Sequence, residues 1–99
     1  MSARFDFEAE LWRSPGEAGW HFVTLPKQTS DEMRALTQGM RNPFGSLRVI
    51  ARTGKTTWRT SVFADTKAGA FLLPVKADVR RKEKLAPGAR VRVRVEIDL

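Results

Sequence analysis

Ninety-nine residues, 41% apolar and 29% charged, leave room for one globular domain (1–99) with a single modest core and exclude a disordered chain. The absence of cysteine excludes disulfides and thiolate metal sites. The net charge of +7 is uneven, with four cations and six anions in residues 1–40 against fourteen cations and five anions in residues 41–99, and a basic second half suits a polyanion partner. Neither the charged start, Met1 to Glu8, nor the longest nearly apolar run, Ala68 to Val75, reads as a signal peptide or a membrane span. The expected setting is cytoplasmic, with no membrane partner.

Phe5 to Trp12 alternates, with Phe5, Phe7, Ala9 and Leu11 on one face and Asp6, Glu8 and Glu10 on the other. That period predicts a half-buried strand whose acidic side is a solvated face. Arg13 to Gly19 has the punctuation of a loop, and Trp20 to Leu25, closed by Pro26, predicts a second strand. Thr29-Ser30-Asp31-Glu32 offers a capping box ahead of Met33, Leu36 and Met40 at helical spacing. A helix over 30–40, stopped by Asn42-Pro43, is expected. Leu47–Thr53 and Thr56–Phe63 predict a hairpin about Gly54-Lys55. Its register sets Thr53 against Thr56, Ala51 against Trp58, Val49 against Thr60 and Leu47 against Val62. Arg48, Ile50, Arg52, Thr57, Arg59 and Ser61 then share the opposite face.

After a loop over 64–69, Ala70 to Pro74 predicts a short strand. Lys76 to Lys84 predicts a helix with Val75, Val79 and Leu85 or Ala86 as its apolar side, ended by Pro87-Gly88. In the last strand Val91, Val93, Val95 and Ile97 alternate with Arg90, Arg92, Arg94, Glu96 and Asp98. Phe22-Val23-Thr24-Leu25-Pro26-Lys27, a helix and Gly45 to Ile50 match Phe71-Leu72-Leu73-Pro74-Val75-Lys76, a helix and Gly88 to Val93. The chain therefore reads ββαβ twice. Two such units related by a pseudo-twofold can close their open edges into a mainly β, six-stranded barrel with two short helices that cap or flank it. Its expected core is Phe5, Phe7, Leu11, Phe22, Val49, Ala51, Trp58, Val62, Val91, Val93 and Val95.

The phrases Gly19-Trp20-His21-Phe22-Val23-Thr24-Leu25-Pro26, Arg41-Asn42-Pro43-Phe44-Gly45, Trp58-Arg59-Thr60-Ser61-Val62-Phe63 and Leu73-Pro74-Val75-Lys76 resemble the bacterial family catalogued as domain of unknown function DUF1905. The resemblance spans nearly the whole chain and implies a double-split β-barrel of duplicated ββαβ units, and no activity. That architecture is distantly similar to the DNA-binding barrels of the AbrB and MazE group. The run from Leu73-Pro74-Val75-Lys76 through Arg80 to Leu85-Ala86-Pro87-Gly88 looks like theirs, although Ala89 stands where both patterns usually carry an acid.

Gly54-Lys55-Thr56-Thr57 matches the end of a phosphate-binding loop, but Val49 stands where its first glycine belongs and the alternation indicates strand. A hairpin turn is the better reading. His21 is the only histidine, so no metal site is expected, and its expected role is structural. Arg48, Arg52 and Arg59 on one hairpin, with Arg90, Arg92 and Arg94 on the last strand, form a candidate anion- or nucleic-acid-binding face. Trp20, His21, Trp58 and Lys76 form a candidate pocket, with Lys76 as its anion anchor, set against a plain core role for the tryptophans. The expectation is a monomeric or weakly dimeric binding module, without catalytic residues or cofactor. It would hold nucleic acid or a small phosphorylated or carboxylated ligand on the arginine face. The alternatives are a small-molecule pocket about Trp20 and Trp58, catalytic or not, and a protein-interaction domain.

Overall fold

Alternation carries the first strand beyond the stretch where it is strictest: in the computed structural model, which describes residues 1–39 and 45–98, β1 runs from Ser2 to Arg13. It is followed by β2 (His21–Thr24), α1 (Lys27–Leu36), β3 (Leu47–Thr53), β4 (Thr56–Asp65), β5 (Ala70–Pro74), α2 (Ala77–Glu83) and β6 (Arg90–Asp98). The strands close into an antiparallel barrel in the order β1-β2-β5-β4-β3-β6. Closure leaves no free sheet edge, which is the physical reason to join two three-strand units. The β3–β4 register is the one read from the sequence, Thr53 opposite Thr56 through Leu47 opposite Val62. Gly54 takes φ +57° and Lys55 keeps a negative φ, as a primed turn with glycine first requires.

The pairing is the same in both halves. Exchanging β1 with β4, β2 with β5 and β3 with β6 returns the same ring of neighbours. The bond from Leu25 N–H to Phe71 O and that from Val75 N–H to His21 O, both 2.9 Å, are images of one another. They equate His21 with Phe71, Val23 with Leu73 and Leu25 with Val75, all buried. The match of Phe22 to Phe71 is therefore one residue out of phase, as is that of Gly45 to Gly88. Two aromatic residues drew the sequences into a register that would exchange inner and outer faces.

Inward positions supply one core, which includes Leu11, Trp58, Val62, Phe71, Leu73 and Val95. Two expected members sit elsewhere. Phe5 is half-buried near the end of β1, and Phe22 lies on the outer face because His21 and Val23 point inward. There Phe22 packs between Trp12 and Trp20, at centroid distances of 5.1 and 6.2 Å.

The helices differ from expectation at their ends. α1 starts directly after Pro26, which is its N-cap, and no side chain caps it, so the Thr29–Glu32 capping box does not form. The fixed φ of proline starts the helix before Thr29 is reached. Its inward side is Ser30, Met33 and Thr37, whereas Leu36 is 50% exposed. Met40 and Asn42-Pro43 lie outside the described residues. α2 ends at Lys84 in the left-handed conformation (φ 55°, ψ 48°), before Pro87-Gly88. Ser30 Oγ accepts the Phe71 N–H at 3.0 Å and Arg34 donates to Gly69 O at 2.9 Å, which ties α1 to the β4–β5 hairpin. Glu83 accepts from Thr56 Oγ1 at 2.6 Å and ties α2 to the β3–β4 hairpin. The helices thus attach at opposite ends of β4. No helix among the described residues is long and apolar enough to cross a membrane.

Candidate functional site

The outer face carries two arginine rows, and the barrel treats them differently. β6 pairs with β1, setting Arg94 opposite Asp6, Arg92 opposite Glu8 and Arg90 opposite Glu10. Arg94 Nε donates to Asp6 at 2.8 Å, Arg92 reaches Glu8 at 3.3 Å, and Arg90 approaches Glu8 at 3.7 Å. The hydrogen bond and charge of Asp6 hold the Arg94 guanidinium above its ordinary pKa. What the sequence presents as a solvated acidic face is the counter-row of the last strand. Exposed pairs of this kind add little stability, but they neutralise the row.

The pseudo-twofold carries this ladder onto the β3–β4 hairpin. Arg90, Arg92 and Arg94 correspond to Arg48, Ile50 and Arg52, and Glu10, Glu8 and Asp6 to Ser61, Arg59 and Thr57. Where one half has acids facing arginines, the other has Arg48 facing Ser61, Arg52 facing Thr57 and Arg59 facing Ile50. The two rows meet at Arg52 and Arg94, directly opposite across β3 and β6. Among the described residues, Arg48 and Arg59 have no ion-pair partner within 4.0 Å. Neighbouring cations without a carboxylate cost stability.

Beyond the end of β5 the barrel wall splits. β4 pairs with β5 over Phe63–Asp65, whereas the chain after Pro74 turns away through Lys76 into α2. The opening is a concavity of about 330 Å³ lined by Arg48, Arg59, Lys76, Trp20, Trp58 and Phe63, with Thr60, Ser61 and Pro74. Trp20 separates it from a second hollow of about 200 Å³, reached by His21, Lys76 and Arg80. Among the described residues no carboxylate lines either hollow. Arg48 and Arg59 also border the 550 Å³ concavity over Ile50, which includes Glu96 and Asp98, and the 310 Å³ one beside Arg52 includes Asp6.

The structure thus joins three of the four candidate pocket residues, Trp20, Trp58 and Lys76, to two of the six arginines, and places His21 in the neighbouring hollow. Trp20 is 58% exposed, so it is a ridge and not core, while Trp58 is 6% exposed and forms the floor. His21 is buried. Its Nδ1 lies 2.6 Å from Gly19 O, so that nitrogen carries the proton, and Nε2 faces Arg80 Nη1 at 3.4 Å. Arg80 was not among the sequence candidates, although its spacing of one helical turn from Lys76 signals a shared face. Among the described residues no group of three or more His, Asp or Glu is placed to hold a metal.

Trp58 Nε1 is buried without a hydrogen-bond partner among the described residues. An orphaned donor costs about 1–3 kcal/mol, similar to the volume lost in Trp58→Phe. That substitution is therefore expected to change stability by less than about 1 kcal/mol in urea unfolding. A loss above about 2 kcal/mol would mean that the indole N–H is satisfied.

No curated protein matches the chain. The family model described as "Domain of unknown function (DUF1905)" matches residues 7–95. That match takes in β2 to β5, most of β1 and β6 and both walls of the cleft, and the chain belongs to the DUF1905 family.

Proposed function

We propose that this barrel is a binding module that holds a phosphate- or carboxylate-bearing ligand in the cleft between β4 and the β5–α2 turn. The supporting observation is the broken symmetry of charge. Arg90 and Glu8 attract one another in one half, while their images Arg48 and Arg59 repel one another in the other. Two guanidiniums at a concavity with Lys76, whose lining holds no acid among the described residues, suit an oxyanion that neutralises them, and Glu96 and Asp98 lie in the separate hollow on their other side. A nucleic acid lying along all six arginines is the weaker reading, because Asp6 and Glu8 already occupy the β6 row. A catalytic reading is also weaker, because His21 Nε2, the imidazole lone pair, already faces Arg80.

Calorimetric titration with inorganic pyrophosphate at low salt tests this. Changing Arg48 and Arg59 together to glutamine is expected to weaken binding at least about tenfold, since each charge-assisted hydrogen bond contributes about 1.5–3 kcal/mol. Changing Arg92 and Arg94 together to glutamine should alter it by less than about threefold. Equal losses from both double variants would mean that net surface charge attracts the anion, and the cleft reading would fall.

A further inference from the structure

The cleft joins a cationic corner to an exposed tryptophan that is held unusually firmly. Trp20 O accepts the Ser14 N–H at 2.7 Å, which closes the 14–20 loop. The preceding carbonyl, Gly19 O, is held by His21 at 2.6 Å. The Trp20 ring lies nearly parallel to Phe22, at 12° and 6.2 Å. Phe22 in turn packs on Trp12, whose Nε1 donates to Thr24 Oγ1 at 2.9 Å. A row of aromatic rings therefore backs the indole while more than half of its surface meets solvent. A ring fixed in this way loses little entropy when something stacks on it.

We infer that the cleft takes a mononucleotide-sized ligand, with a planar aromatic base stacked on Trp20 and its phosphate between Arg48 and Arg59. This rests on the anion-cleft reading above and names the ligand class. Aromatic stacking tolerates any base, and paired guanidiniums match the oxygens of a phosphate monoester. Thr60 and Ser61 also line the hollow and would adjoin a sugar. A hollow of about 330 Å³ is at the lower end of small-ligand sites. A nucleotide within a strand has the same chemistry. The single unit is favoured because the β6 row, which continues from Arg52 at Arg94, is paired to Asp6 and Glu8.

The test compares adenosine 5′-monophosphate, ribose 5-phosphate and a ten-nucleotide oligothymidylate by calorimetry and tryptophan fluorescence. The mononucleotide should bind roughly tenfold or more tightly than ribose 5-phosphate and quench the fluorescence. Trp20→Leu should abolish the quench and bring the affinities for the mononucleotide and ribose 5-phosphate level. Trp20→Phe should restore part of the advantage. Trp20 is exposed, so both variants should keep the fold. Equal affinity for the mononucleotide and ribose 5-phosphate would overturn the stacking inference. If ribose 5-phosphate binding still fell in the Arg48→Gln, Arg59→Gln variant, the anion cleft would stand without it. Binding of neither compound at millimolar concentration would overturn both. An oligothymidylate bound more than about a hundredfold more tightly than the mononucleotide would overturn the single-unit site in favour of a strand.

Discussion

Phe71→Ala is expected to lower the unfolding free energy by about 3–5 kcal/mol, the range for removing a buried ring from a packed interior. Phe71 is fully buried on β5, where the first and second halves of the barrel meet. Its N–H donates to Ser30 Oγ at 3.0 Å and its carbonyl accepts from Leu25 at 2.9 Å, so its backbone locks both β2 and α1 in place. The Arg34 guanidinium lies 5.4 Å from the ring centroid and loses that contact as well. A domain of this size has about 5–15 kcal/mol in total, so the variant should unfold at a much lower urea midpoint. A loss below about 1 kcal/mol would mean that the barrel closes around the cavity without cost.

Gly54→Val is expected to cost about 2–4 kcal/mol, from two independent sources. At φ +57° a β-branched residue is strained by the backbone alone. A Cβ at this position would also collide with the Glu83 carboxylate. Moving that carboxylate aside disturbs its bonds to Thr56 Oγ1 at 2.6 Å and Lys55 N–H at 3.3 Å, which attach α2 to the hairpin. Amide exchange should therefore rise in α2 as well as in the turn, since the two are tied through one carboxylate. Faster exchange at the turn with α2 unchanged would mean that Glu83 does not make this tie.

Local chemistry made much of the fold legible. The hairpin register follows from Gly54-Lys55 and from alternation, because a slip of one residue would send Arg48, Arg52 and Arg59 into the core. The ββαβ repeat is visible for the same reason. Its phase is not, because Phe22 resembles Phe71 in composition while His21 resembles it in position. The start of α1 is obscured by a capping signal at Thr29–Glu32 that proline makes redundant.

The site divides along the same line. Each row of arginines is local and readable, but the neutralisation of one row depends on β1 meeting β6 from opposite ends of the chain. No spacing within either strand shows that Glu8 serves Arg90 and Arg92. The cleft arises where β5 turns away from β4, and that alone brings Trp20 and Lys76 to the side of Arg48 and Arg59. Trp20 and Trp58 have opposite fates, since the first stands just before its strand and the second faces inward within one.

The most direct measurement is an amide and indole chemical-shift map of the ¹⁵N-labelled protein titrated with inorganic pyrophosphate. The expected result is a saturable set of shifts at Trp20, Arg48, Arg59, Ser61 and Lys76, including the Trp20 indole N–H, with β1 and β6 almost silent. Shifts concentrated on Arg90, Arg92 and Arg94, or spread evenly over every exposed cation, would contradict an anion site in the cleft.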